Sequence, residues 1–481
     1  MTFLKYIFLF YSLSLSLNIL AQKQADTIYN MEDMRSDFKY LHKHLLLNHP
    51  GIYKYTSKEN WETIYQNTLK KINVPLQNVK YRLILREYLA NIKCGHTQVI
   101  PSNKSLKIFN KRIHFSAPFK VAFLNNKMIV TENESNDSNL VKGTEIKSIN
   151  GNSAIAIIDS IYLIQNADAG LSSMKSFYGA SLFQTYYMAF FGEDSIYSLN
   201  TITVNGDTQT FNVKKKVPLK NKVKTPKIKY DLLNQKLANF HICKGDTQTA
   251  ILKIKGFQLQ NATKLYNLAF EQIADQQIKY LIIDLRGNGG GSIVQASELI
   301  SYISKDTFSY GFARGKQGLT YKSPFKQKTI YYLSRVLLDI FGNRKTYNNN
   351  YNYTFDYNNK SLKKEKHFDG AVFCIIDNGS FSAASFVAAY AKHKAKAVLV
   401  GQETAGTESG CYAVNTPLME LPCTKNFIRI PQYHFKHILP IVDINRGVIP
   451  EIETVINSQT INSGKDVEMD LIWKLILENQ N

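Results

Sequence analysis

Apolar residues recur at helical spacing through the first hundred positions. Phe38, Leu41 and Leu45 mark one amphipathic helix, which Pro50-Gly51 ends. Thr56 and Glu59 read as a capping box ahead of a second helix carrying Trp61, Ile64 and Leu69. A third helical stretch near 81–92 runs into Cys94-Gly95-His96-Thr97. Beyond residue 117 the period falls to two: Phe119, Val121 and Phe123 alternate with other residues, and 128–131 predicts a second strand. A turn at Gly143, a strand to Ile149 and the Asn150-Gly151 turn continue this β-rich segment. Ile202 and Val204, Asn205-Gly206, then Phe211 and Val213 close it as a hairpin. Between them, 155–192 is helical and aromatic. Residues 214–229, rich in Lys with two Pro, predict an exposed linker. From about 235 the pattern alternates strand and helix: strands at 250–254, 280–285, 371–377 and 397–400, helices at 261–276, 292–303, 382–393 and a closing one at 466–476. The Tyr-, Asn- and Lys-rich stretch 306–368 is expected to be an irregular insertion near the core.

The chain has 481 residues, 44% hydrophobic and 20% charged, a globular balance. Its length predicts roughly two to four domains. The net charge is +21, from 59 Lys and Arg against 38 Asp and Glu. No Lys/Arg block, zinc-finger spacing or RNA-binding signature accompanies it, so nucleic acid is not an expected partner. The charge fits solubility, acidic substrates or association with an anionic envelope surface. Residues 1–21 read as a secretory signal peptide. Lys5 precedes an apolar run interrupted by Ser12, Ser14, Ser16 and Asn18, and small Ala21 stands before Gln22. That implies an exported, periplasmic or extracellular protein. In an oxidising compartment Cys411 and Cys423 are a candidate disulfide, while Cys94, Cys243 and Cys374 read as buried thiols.

Three segments carry candidate chemistry. Asp284-Leu285-Arg286-Gly287-Asn288-Gly289-Gly290-Gly291 follows an apolar strand and opens a helix, so its N–H groups can approach an anion. It is neither a P-loop nor a dinucleotide fingerprint, because no Gly-Lys-Ser/Thr follows and Ser292 stands where the third Gly would fall. Gly379-Ser380-Phe381-Ser382-Ala383-Ala384-Ser385 also joins a strand to a helix. A serine there is either an N-cap or a nucleophile beside an oxyanion-stabilising N–H. His96 is either structural or the base such a serine needs. His434 and His437 are rivals; their HxxH spacing lacks a third ligand, so neither a metal nor a cofactor is expected.

Taken together, these segments resemble the C-terminal processing (tail-specific) serine peptidases, in particular a tricorn-core-like branch of exported bacterial proteins. The strand with its Gly-rich loop, the Gly379–Ser385 stretch and Gly401-Gln402-Glu403-Thr404-Ala405-Gly406 fall in that family's order. Gly447-Val448-Ile449-Pro450-Glu451 looks like its C-terminal signature with Glu for Asp. His49-Pro50-Gly51-Ile52-Tyr53 and Cys94-Gly95-His96-Thr97 look like the exported branch. The resemblance implies an α+β multidomain protein: a helical N-terminal domain (22–112), a PDZ-like β-rich insertion (113–216) and an α/β, crotonase/ClpP-like peptidase core (217–481). It places the nucleophile on Ser382 and the oxyanion donors on Ala383 and on Gly290 or Gly291. Thr407 stands where many members carry a basic Lys, which turns attention to His96 as base, with Asp443 (or Glu451) as its orienting acid. The implied activity is serine endopeptidase hydrolysis of protein or peptide substrates. The alternatives are a catalytically inactive peptide- or ligand-binding protein on the same fold, or an esterase-like hydrolase.

Overall fold

The computed structural model describes residues 27–101, 116–215, 232–243, 248–315, 318–347, 350–357, 366–441 and 443–478. The signal-peptide segment and nearly all of the expected linker lie outside these residues.

A seven-stranded sheet organises the C-terminal half. Its order is Asn234–Gln235, Ala238–Ile242, Thr249–Ile254, Tyr280–Asp284, Ala371–Ile376, Val398–Gly401, Ile452–Glu453, with the last five strands parallel. The central strands are apolar on both faces, as covered parallel strands must be. Leu281, Ile283, Cys374 and Ile376 face the helices Ala262–Asp275, Ile293–Ile303 and Ala383–Ala395. Ile282, Phe373 and Ile375 face the closing helix Val467–Glu478 through Ile472 and Ile476. Tyr280–Asp284 and Ala371–Ile376 are parallel neighbours, so the loops after them leave side by side at the carboxyl edge of the sheet, where open α/β sheets place their sites.

The described residues of 306–368 do not form the irregular insertion their composition predicts. Phe308–Gly315 and Asn350–Tyr357 are antiparallel strands of a five-stranded sheet with Asn343–Tyr347, Tyr433–His437 and Gly410–Ala413. The helix Phe325–Phe341 lies between them in sequence. Ring pairs across strands explain the tyrosine content: Tyr310 stacks on Phe355 at 5.6 Å and Phe308 on Tyr357 at 5.3 Å.

The N-terminal helices are Met31–Asn48, Lys58–Lys71 and Asn78–Ala90. The second starts one residue later than the predicted capping box, on Ser57, whose hydroxyl accepts from Asn60 N at 3.2 Å; Thr56 instead donates to the Asn91 carbonyl. Their core is not closed on itself. Met34, Phe38, Trp61 and Leu89 share it with Tyr412, Met419, Ile428 and Ile430 from the C-terminal half. The strand Gln98–Ile100 pairs with Phe427–Arg429, fixing the chain just past His96 to the C-terminal half. The middle segment is an antiparallel sheet of Phe119–Leu124, Lys127–Asn133, Glu145–Ile149, Tyr197–Ile202 and Thr208–Val213. It carries the helices Ala154–Ile164, Ser172–Ser181 and Phe183–Phe191.

Arg286 joins the Gly-rich loop to the closing helix. It bonds buried Asp284 at 2.9 Å, Asp466 at 2.6 Å and buried Glu468 at 3.3 Å. Lys253 adds a 2.7 Å contact to Asp284. Removing the guanidinium strands buried carboxylates, which costs on the order of 3 kcal/mol or more. Arg286→Leu is expected to lower stability by about that amount, read as a lower denaturation midpoint at unchanged slope.

Candidate active site

The loop after Ala371–Ile376 is locked to the Gly-rich loop before it reaches Ser382. Asp377 Oδ1 accepts from Gly287 N at 2.9 Å and from Gly379 N at 3.0 Å. Ser380 Oγ donates to the Leu285 carbonyl at 2.9 Å and accepts from Asp377 N at 3.1 Å. Phe381 N donates to the Asn288 carbonyl at 2.9 Å. Ser380 is therefore occupied structurally. Ser382 is different. Its backbone sits at φ 57°, ψ −115°, a conformation costly for an L-residue, immediately before the helix Ala383–Ala395. Its side chain makes no capping bond. Instead Ser382 Oγ lies 3.2 Å from Nε2 of His96, 286 residues earlier in the chain.

The loop carrying His96 is tied down on every side. Gly95 N donates to Asp168 Oδ1 at 2.7 Å. Buried His49 reaches Thr97 Oγ1 through Nε2 at 3.0 Å, and Gln98 Nε2 donates to the Gly95 carbonyl at 2.8 Å. A Cβ on Gly95 would stand 2.5 Å from Met174 Cε and 2.8 Å from Phe381 Cζ, so a larger residue there must push these side chains aside. The Phe381 ring covers His96 at 4.6 Å. Desolvation first, then the Arg429 charge, push His96 down to about 3, so it is neutral at ordinary pH.

Asp443 does not come to His96. It is exposed, and its carboxylate accepts from Asn445 N at 2.8 Å, a turn-closing role. Glu451 is also elsewhere, accepting from Leu399 N at 2.8 Å and pairing with Lys392 at 3.0 Å. His437 is buried with Nδ1 on the Glu408 carbonyl at 2.6 Å, and His434 stacks on Tyr412 at 4.6 Å, so neither rival faces Ser382 as a base. Thr407 turns its hydroxyl onto the Gly410 carbonyl.

The acidic group that does reach the site is Asp168, in the single turn Asp168–Gly170. One of its oxygens lies within 4.8 Å of a His96 ring nitrogen and of the Cys411 sulfur. Its Oδ2 and the His96 Nδ1 are both buried with no hydrogen-bond partner. Burial pushes its carboxyl up to about 7, against the Gly95 N–H bond that pulls the other way. No local pattern distinguishes Asp168 in the sequence; only the tertiary fold brings it here.

The oxyanion side also departs from expectation. Gly290 N already donates to Asn288 Oδ1 at 2.8 Å, so it is committed. Gly290 matters for space: at φ 98°, an added Cβ would stand 2.7 Å from Ser382 Cβ and 2.8 Å from the Phe381 carbonyl. Ala383 N, at the first position of its helix, and Gly291 N have no acceptor among the described residues. The five cysteines are unpaired: Cys411 is buried beside Ser382, and Cys423 is partly exposed near Asp37.

An α/β sheet that delivers a strained serine at a helix start, opposite a neutral histidine, defines the serine-hydrolase class of architecture. Residues 248–435 match the model of Peptidase family S41, which supports the resemblance to the C-terminal processing serine peptidases. It is a serine-type peptidase. No curated protein sequence matches it. Its fold is similar to crystal structures of CPAF. A CPAF mutant superposes with a TM-score of 0.66 at 13% identity, over 93% of this chain and 97% of the other. Mature CPAF gives 0.63 at 13% identity, over 94% and 99%. Mature CPAF complexed with lactacystin gives 0.62 at 14% identity, over 94% and 99%.

Gly290→Ala is expected to remove most activity, because the new Cβ must displace Ser382 or the strained backbone around it. The check is turnover beside circular dichroism. Full activity in a folded variant would show that this close approach is not required.

Proposed function

We propose that this protein is an exported serine endopeptidase in which Ser382 is the nucleophile and His96 its base. The observation that carries the reading is the 3.2 Å contact between Ser382 Oγ and His96 Nε2, made by a serine whose hydroxyl has no capping duty. In this mechanism Oγ attacks the peptide carbonyl while Nε2 takes its proton. The Ala383 and Gly291 N–H groups hold the oxyanion. The imidazolium then gives the proton to the leaving amine, and water repeats the sequence to release the acid. A neutral His96 is in the protonation state that a base requires.

Asp168 takes the place expected of Asp443. It fixes the His96 loop through Gly95 N, and its free oxygen is the nearby anion that would stabilise an imidazolium. The PDZ-like reading of 113–216 gives that segment the task of holding a peptide end by strand addition. The cavity of about 160 Å³ beside the site is lined by Lys54, Lys93 and Lys436 together with Asp168 and Cys411. Three ammonium groups there favour a substrate carrying a carboxylate near the scissile bond.

The test is covalent labelling with a fluorophosphonate probe on the mature chain and on single variants. Labelling is expected for the wild type and absent for Ser382→Ala and His96→Ala. Asp168→Asn is expected to cut the labelling rate by about 100-fold or more, by analogy with loss of a triad carboxylate. Loss with Ser382 alone would keep the nucleophile and reject the base. No labelling of a well-folded wild type would favour the non-catalytic binding protein, and turnover of matched esters but not peptides would favour an esterase.

A further inference from the structure

Asp168, Cys411 and His96 come from three separate elements: a single turn, the strand Gly410–Ala413 and the loop before Gln98–Ile100. Each offers one ligand atom, and these atoms all lie within 4.8 Å of one another. Tetrahedral zinc bonds of about 2.0–2.3 Å put ligands roughly 3.3–3.8 Å apart, so the three need close by only on the order of an ångström. Asp168 is 4% exposed and its Oδ2 has no partner; His96 Nδ1 is equally unpartnered. A buried carboxylate oxygen and a buried ring nitrogen, both unsatisfied beside a buried thiol, are costly for a site that holds nothing.

We propose that His96, Asp168 and Cys411 form an inhibitory site for a soft divalent metal ion, zinc being the best fit. The donor set selects the ion. One thiolate, one imidazole and one carboxylate suit zinc, whereas magnesium and calcium take oxygen ligands. Lys54, Lys93 and Lys436 around the adjoining cavity oppose a cation held by charge alone. They do not exclude one gripped by sulfur and nitrogen. The HxxH pair at His434 and His437 is not the site, since His437 is already bonded to the Glu408 carbonyl. Binding displaces the Cys411 proton to solvent and forms metal–sulfur, metal–nitrogen and metal–oxygen bonds, with no change of oxidation state. Three protein ligands leave a fourth position for water.

Inhibition rests on the peptidase reading above, because a metal on His96 takes the proposed base out of use. Binding does not rest on it, and the experiment separates the two. Cobalt(II) is titrated into the reduced mature chain and into Ser382→Ala, followed by the near-ultraviolet thiolate-to-cobalt charge-transfer band. Both are expected to bind one equivalent with that band and to release it to zinc. Cys411→Ser and His96→Ala are expected to lose the band, and Asp168→Asn to weaken binding at least tenfold. Cys94→Ala, which removes the neighbouring thiol, is expected to keep it. In parallel, zinc should block fluorophosphonate labelling of the wild type, reversibly on chelation. A band without any labelling at zero metal would keep the metal site and reject the peptidase mechanism. Labelling without a band would do the reverse. A band lost in Cys94→Ala but kept in Cys411→Ser, or no stoichiometric binding by a wild type whose melting curve is cooperative, overturns the proposal.

Discussion

Everything about this site depends on holding Ser382 in a backbone conformation that an L-residue avoids. The cost is of order 1–3 kcal/mol, and the surrounding loops meet it together. Asn288 is the organiser. Fully buried, it donates to the Ile254 carbonyl at 2.9 Å, accepts from Gly290 N through its side chain, and accepts from Phe381 N through its own carbonyl. One residue thus joins two adjacent strands and both site loops. The Gly401–Gly406 stretch completes the enclosure: Ala405 N donates to the Ser380 carbonyl at 2.9 Å, and a Cβ on Gly406 would stand 3.2 Å from Ser382 N. The glycines of two separate motifs share one reason, the close approach of backbone to this serine.

The second constraint is distance along the chain. His96 and Ser382 are nearly three hundred residues apart, and closing such a loop carries an entropy cost that only packing can repay. The repayment is visible. Tyr412, from the catalytic half, packs among the N-terminal helices, where a Cβ on Gly51 would stand 2.0 Å from its ring. Buried Asp37 in the first helix accepts from the backbone N–H groups of Cys423 and Thr424 at 2.8 and 2.7 Å. The N-terminal helices therefore share one core with the strands they lie on, and the histidine loop inherits its position from that core.

This explains which parts of the molecule could be read from the sequence. The α/β order was readable because apolar runs bounded by glycine loops are a local signal. Ser382 and His96 stood out for the same reason, each beside a glycine-bearing motif. The sheet containing 308–315 and 350–357 was hidden because tyrosine and asparagine blur the alternation that its cross-strand ring pairs obey. Asp443 follows from the family resemblance, but a resemblance does not record that a two-residue turn closes on its carboxylate. The use of Gly290 N was hidden in Asn288, whose amide occupies the donor that a motif alone leaves open. Asp168 carried no signal at all, since its neighbours Ala167, Ala169 and Gly170 are ordinary turn residues.

Asp168 also changes what the middle segment is for. A β-rich insertion that only captured a peptide could hang from the core by two linkers. Here the helix Ser172–Ser181, one residue beyond the Asp168 turn, is packed onto the catalytic loops. Tyr178 OH donates to the Gly379 carbonyl at 3.1 Å, and the Phe177 ring fills the space above Gly379. Ala169 N donates to the Lys93 carbonyl at 3.1 Å, so the Asp168 turn is bonded to the histidine loop as well. The helix that packs on the Gly379 loop and the carboxylate that lies near His96 are thus one continuous piece of chain. Because Gly95 N and the Lys93 carbonyl both bond to this turn, the packing of the middle segment on the Gly379 loop fixes where Asp168 stands beside His96.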